Sequence, residues 1–140
     1  MREQILMVET NPAPSAVREG PLYRKYDVRI ANDRPQALEI CRAGRPSAII
    51  VVMEGPNDRE LSLLRELKAQ DRLERPIIAI TGHNSLEIER AIATIGVFYH
   101  LLGPYMQNDL DDLIAAALRS WNKKSLVPKV LADKGQAVKK

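Results

Sequence analysis

Few side chains in this sequence are of a type and spacing that could do chemistry. It holds two histidines, His83 and His100, and one cysteine, Cys41. Two imidazoles could begin a metal site, but zinc takes four ligands and no Cys or further His motif accompanies them. No metal is expected there. Cys41 alone cannot form an internal disulfide, and its place among apolar residues at helical spacing reads as core. The serines, histidines and aspartates show no spacing that recommends a catalytic triad. Gly-x-Gly-x-x-Gly, Gly-x-x-x-x-Gly-Lys and Gly-x-Ser-x-Gly are all absent, which leaves nucleotide binding and nucleophile-elbow hydrolysis without a basis. The expectation is a protein that is not an enzyme and carries no cofactor.

The chain that must position these groups has 140 residues, the size of one domain. Hydrophobic residues make up 45% and charged residues 28%, which excludes disordered, collagen-like and coiled-coil chains. Aromatics are only 4%, so the core must be aliphatic. The start, MREQILMVETNP, has too short an apolar run for a signal peptide or a membrane span, and a cytoplasmic location is expected. Charge is uneven. Residues 122–140 hold six lysines against Asp133, a net of +5, which leaves −2 of the overall +3 for the rest. The division expected is a domain over 1–122 and a basic, mobile tail over 123–140.

Five short aliphatic runs recur: Gln4–Val8, Val28–Ala31, Ala48–Met53, Ile77–Ile80 and Val97–Leu102. Their length and β-branched content suit strands. Ala48–Met53 has no polar alternation, as in a strand buried on both faces of a parallel sheet. Helical spacing fills the intervals. Ala37, Leu38 and Cys41 share one face ahead of Gly44, a C-terminal stop; Leu61, Leu64 and Leu67 mark the next helix. Asn84 is the expected cap of the fourth helix, with Glu87 completing a capping box, Ile88, Ile92 and Ile95 inside and Gly96 closing it. Asn108 is the expected cap of the last, whose first turn holds Asp109, Asp111 and Asp112 ahead of Leu110, Leu113, Ile114 and Leu118. The first helix, between Asn11 and Asp27, contains Pro14 and Gly20-Pro21 and should be broken or kinked. Beyond Trp121 periodicity lapses. The alternation predicts an α/β fold, a three-layer, doubly wound (βα)5 sandwich.

The order of segments resembles a response-regulator receiver domain of two-component signalling, over residues 4–121. Four stretches carry the resemblance: Ile5–Pro12, Arg45–Val52, Pro76–Gly82 and Gly96–Tyr105. It implies a flavodoxin-like, receiver-like fold with parallel sheet order 2-1-3-4-5. It also implies a phosphorylation pocket, and most of its parts are altered. The acidic pair that holds a divalent cation becomes Glu9-Thr10, and the phosphoacceptor aspartate falls on Val52. The lysine that pairs with the phosphoryl group, ahead of the proline after the fifth strand, becomes Gly103. The hydroxyl residue is kept as Thr81, and the aromatic switch position falls on His100, beside Tyr99.

An isopropyl group cannot form an acyl phosphate. Magnesium wants hard oxygen ligands, and Glu9 beside Thr10 and Val52 offers a poor set, so Mg²⁺ is not expected to bind. Without an ammonium at Gly103, nothing fixed would neutralise a phosphoryl group. Glu54, two residues past Val52, is either a weak cation partner, a permanent negative charge or a solvated loop residue. The resemblance thus points to a pseudo-receiver that docks a protein partner, or a second copy of itself, through the face of the fourth helix, fifth strand and fifth helix. The candidate residues are Glu87, Arg90, Ala91, Thr94, Tyr99, Pro104, Tyr105 and Met106, with the aromatics and Met that interfaces favour. Two alternatives are an unorthodox phosphoacceptor using Glu9 or Glu54, and a nucleic-acid or anion-binding module working through the lysine-rich tail. That tail has no aromatic after Trp121 to stack on bases, so neither nucleic acid nor membrane is the expected partner.

Overall fold

Aliphatic runs without polar breaks become strands here because both of their faces are covered. A computed structural model describes residues 2–9, 22–54, 57–82, 85–104 and 106–126. The strands are β1 (Gln4–Glu9), β2 (Asp27–Ala31), β3 (Ala48–Met53), β4 (Ile77–Thr81) and β5 (Tyr99–Leu102). Between and after them run α1 (Leu22–Lys25), α2 (Arg34–Ala43), α3 (Asp58–Gln70), α4 (Leu86–Ile95) and α5 (Gln107–Leu126). All pairings are parallel and the order is β2-β1-β3-β4-β5. The order reverses beside β1, at the C-terminal edge where open α/β sheets place their sites.

Alternation along each strand divides the core in two. Leu6, Val8, Ile49, Val51, Met53, Ile77 and Ala79 face α2, α3 and α4, whose Leu38, Cys41, Leu64, Leu67 and Ile92 are buried against them. Ile5, Met7, Ile50, Ile78, Ile80 and Leu101 face α5, through Leu110, Ile114, Ala117 and Leu118. Tyr26, just after α1, packs on that second side. The apolar stripes expected for α2, α3, α4 and α5 are the ones that face the sheet.

Caps delimit the helices. Asp33 and Asn57 accept from the backbone N–H groups of Gln36 and Glu60 at the starts of α2 and α3. Gly44 and Gly96 stop α2 and α4 in the left-handed region, at φ 78° and 86°, which glycine enters without a Cβ clash. Two expected caps are displaced. Ser85, not Asn84, caps α4, accepting from Ile88 N at 3.1 Å. α5 begins at Gln107, so Asn108 lies inside its first turn. The same helix runs past the expected 122/123 boundary to Leu126, and Asn122 Nδ2 donates to Glu3 Oε1 at 2.8 Å, tying that stretch to the chain ahead of β1. The expected kink in the first helix, the tail beyond Leu126, and Thr10, His83, Asn84 and Tyr105 lie outside the described residues.

Two ionic side chains hold the opposite end of the sheet. Asp71, the C-cap of α3, and Arg75, which leads into β4, are 3% and 2% exposed and form an ion pair at 3.5 Å. Asp71 also accepts from the backbone N–H groups of Arg75 and Leu73, and Arg75 Nη2 donates to Cys41 O at 2.7 Å. The carbonyl-rich C-terminal turns of α2 and α3 meet here, so a cation between them is well placed.

Candidate functional site

Parallel register sets one row of residues across the C-terminal edge: Glu9 opposite Val52, Val52 opposite Ile80, Ile80 opposite Leu101. Neighbouring strands lie about 4.8 Å apart, so Val52 is held between a carboxylate-bearing residue and an isoleucine. Glu9 is 2% exposed, and its carbonyl accepts from Asn32 Nδ2 at 3.2 Å. Val52 is half-buried and packs on the α5 side of the sheet. The side chain of Val52 has no atom able to attack phosphorus or ligate a cation.

The next row is Met53, Thr81 and Leu102. Gly82 N donates to Met53 O at 3.0 Å and Gly103 N to Thr81 O at 2.8 Å, which joins the ends of β3, β4 and β5. Glu54, exposed just past β3, lies against Gly82: a Cβ on Gly82 would stand 2.6 Å from Glu54 O and 3.2 Å from Glu54 Oε2. Only glycine permits this approach of the two loop entrances. At Gly103 a Cβ would meet Thr81 O at an ordinary 3.5 Å, so space alone does not dictate that glycine. The Gly103–Pro104 peptide is cis.

Thr81 is fully enclosed, and its Oγ1 lies 2.7 Å from His100 Nε2. His100 pairs in register with Ala79, so the contact is the diagonal one between side chains on the same face of β4 and β5, the face that α4 covers. Burial pushes the His100 imidazole below its ordinary value, opposed by the carboxylate of Glu89 on α4.

On the outer side, the expected docking residues Glu87, Arg90, Thr94, Tyr99, Pro104 and Met106 are exposed. Ala91 is partly buried against the core. Leu86 and Leu102, which the sequence did not single out, are 59% and 42% exposed, beside Tyr99 at 49% and Met106 at 69%. Their signal was an apolar residue off the buried stripe, visible only once the stripe is fixed. Sequence reasoning brought Glu9, Val52, Glu54, Thr81, His100 and Gly103 to one edge; it passed over Gly82, Asn32, Asp71 and Arg75. Among the described residues no group of three or more His, Cys, Asp or Glu is placed to hold a metal ion, and no helix is long and apolar enough to cross a membrane.

These features define the class: a CheY-like receiver fold of the flavodoxin-like type. No family model matches the chain. Its fold is similar to the CheY-like response regulator receiver domain protein of Methanospirillum hungatei JF-1, with a TM-score of 0.74 and 21% identity over 89% of this chain and 99% of that one. The Vibrio cholerae chemotaxis protein CheY4 is similar at a TM-score of 0.67 and 20% identity, over 84% of this chain and 100% of that one. In sequence, Response regulator MprA of Mycobacterium leprae (strain TN) is 28% identical over 117 residues, 83% of this chain and 51% of that protein. The chain spans about half the length of the curated relatives it matches.

Proposed function

We propose that this chain is a receiver-like signalling module that acts by docking a protein through α4, β5 and α5, without aspartyl phosphorylation and without catalysis of its own. The observation that carries the reading is Val52, fixed in register between Glu9 and Ile80 where receivers present their nucleophile. The fold is kept, while the side chain at that position has no atom able to form a phosphoryl bond. Support for the docking face comes from its exposed Leu86, Tyr99, Leu102 and Met106, since large apolar side chains left at a surface favour protein contact.

Acetyl phosphate and Mg²⁺ provide the test of the first half, read by intact mass. No gain of a phosphoryl group is expected, and a gain mapped to Glu9 or Glu54 would overturn the reading. The second half is checked by sedimentation and by photo-crosslinking from position 106. A second copy or one defined partner should be captured there, and capture should be lost in Leu86→Asp. A monomer at all concentrations that captures nothing removes the docking face.

A further inference from the structure

At the end of the sheet opposite Val52, a cleft of about 850 Å³ opens between the C-terminal ends of α2 and α3. That volume suits a small molecule, whose sites run to roughly 300–1,000 Å³. Leu38, Leu67 and Leu73 give the cleft apolar wall. Arg42, Arg72 and Arg75 line it against a single carboxylate, Asp71, so three charges less one leave +2. Arg42 and Arg72 are exposed, whereas the Arg75 side chain is 2% exposed.

The turn 71–75 fixes that buried cation. Asp71 accepts from the backbone N–H groups of Leu73 and Arg75, and Glu74 takes φ 54°, where residues other than glycine are uncommon. Arg75 Nη2 donates to Cys41 O, and Nε stands 3.5 Å from Asp71 Oδ1. Nη1 is buried and has no hydrogen-bond partner among the described residues. The helix-end carbonyls at hand are already served: Cys41 O also accepts from Gly44 N, and Leu67 O from Asp71 N. A buried guanidinium nitrogen without an acceptor is costly, and a residue lining a cleft can be given one from outside.

We propose that this cleft binds a small organic anion, a carboxylate or phosphate ester on an apolar body, whose oxygen takes the unserved donor of Arg75. A guanidinium presents its donors in a fork that fits either oxyanion. Arg42 and Arg72 add positive charge from the exposed side, and the apolar body lies against the three leucines. Because Nη1 is enclosed, entry of the oxygen must move the turn 71–75. The site is remote from Glu9, Val52 and Thr81, and the inference does not depend on the docking reading.

The test is an NMR titration of the isotopically labelled full chain with phenyl phosphate, benzoate, inorganic phosphate and benzyl alcohol. Phenyl phosphate or benzoate should saturate, shifting the amides of residues 41–44 and 71–75 together with the Nε–H signal of Arg75. The tighter of the two names the oxyanion. Arg72→Gln, an exposed change whose urea midpoint should match that of the unaltered chain, should weaken binding about threefold. Inorganic phosphate binding as tightly as phenyl phosphate would mean an adventitious ion only and overturn the proposal. Equal shifts with benzyl alcohol, an Arg75 signal that stays fixed while others move, or no saturation by either organic anion would overturn it too.

Discussion

Replacing Gly82 with alanine tests how the ends of β3 and β4 are held together. The new Cβ would stand 2.6 Å from Glu54 O, a backbone atom, and 3.2 Å from Glu54 Oε2. Carbon and carbonyl oxygen normally meet no closer than roughly 3.3 Å, so one of the two loop entrances must retreat by about 0.7 Å. The carboxylate can swing away, but the carbonyl cannot move alone, because Gly82 N is bonded to Met53 O at 3.0 Å next to it. Overpacking of this kind costs about 1–3 kcal/mol. Alanine's lower unfolded-state entropy returns about 0.4–1 kcal/mol where the backbone is compatible. The net expectation is a loss of about 1–2 kcal/mol. Urea denaturation should show it as a midpoint lowered by about 0.5–1 M, for a slope near 2 kcal/mol/M. Gly103→Ala is the control: its Cβ would meet Thr81 O at 3.5 Å, so stability should be unchanged or slightly raised. Equal midpoints for the two variants would refute the claim that Glu54 and Gly82 are in enforced contact.

Other perturbations have equally definite outcomes. Arg75→Ala removes one partner of an ion pair whose side chains are 2% and 3% exposed, and strands Cys41 O; breaking such a pair costs about 3–5 kcal/mol, here at the lower end because Asp71 keeps two backbone donors, and urea midpoints will show it. His100 has a folded-state value below its unfolded one. The unfolded chain therefore binds more protons between the two values, and stability should be full above the ordinary histidine value and fall as pH drops through that window. His100→Gln should flatten that part of the stability–pH curve. Burial pushes the Cys41 thiol up to about 11, with Arg75 acting against the shift and Asp71 with it. At neutral pH iodoacetamide should leave Cys41 unmodified in the folded chain and alkylate it in urea, as mass spectrometry will show.

The strands were legible because continuous burial leaves a plain mark: Ala48–Met53 has no polar residue and became the central strand with the same bounds. Helix faces were legible for the same reason, through Ala37, Leu38 and Cys41 in α2 and Ile92 in α4. Boundaries were less so. Asn84 and Ser85 are both good caps, and only the path of the loop selected Ser85. The end of α5 was not legible, since no apolar periodicity marks the chain beyond Trp121, and the bond of Asn122 to Glu3 joins residues 119 positions apart.

By itself the sequence determined the alternating fold and the identity of residue 52, a valine whose side chain carries no nucleophile whatever surrounds it. The tertiary structure decided which groups meet. The 2.7 Å contact of Thr81 with His100, the approach of Glu54 to Gly82 and the burial of Asp71 with Arg75 depend on strand register and loop path. Such contacts join residues distant along the chain or across a turn, and their geometry is fixed only when the whole core packs.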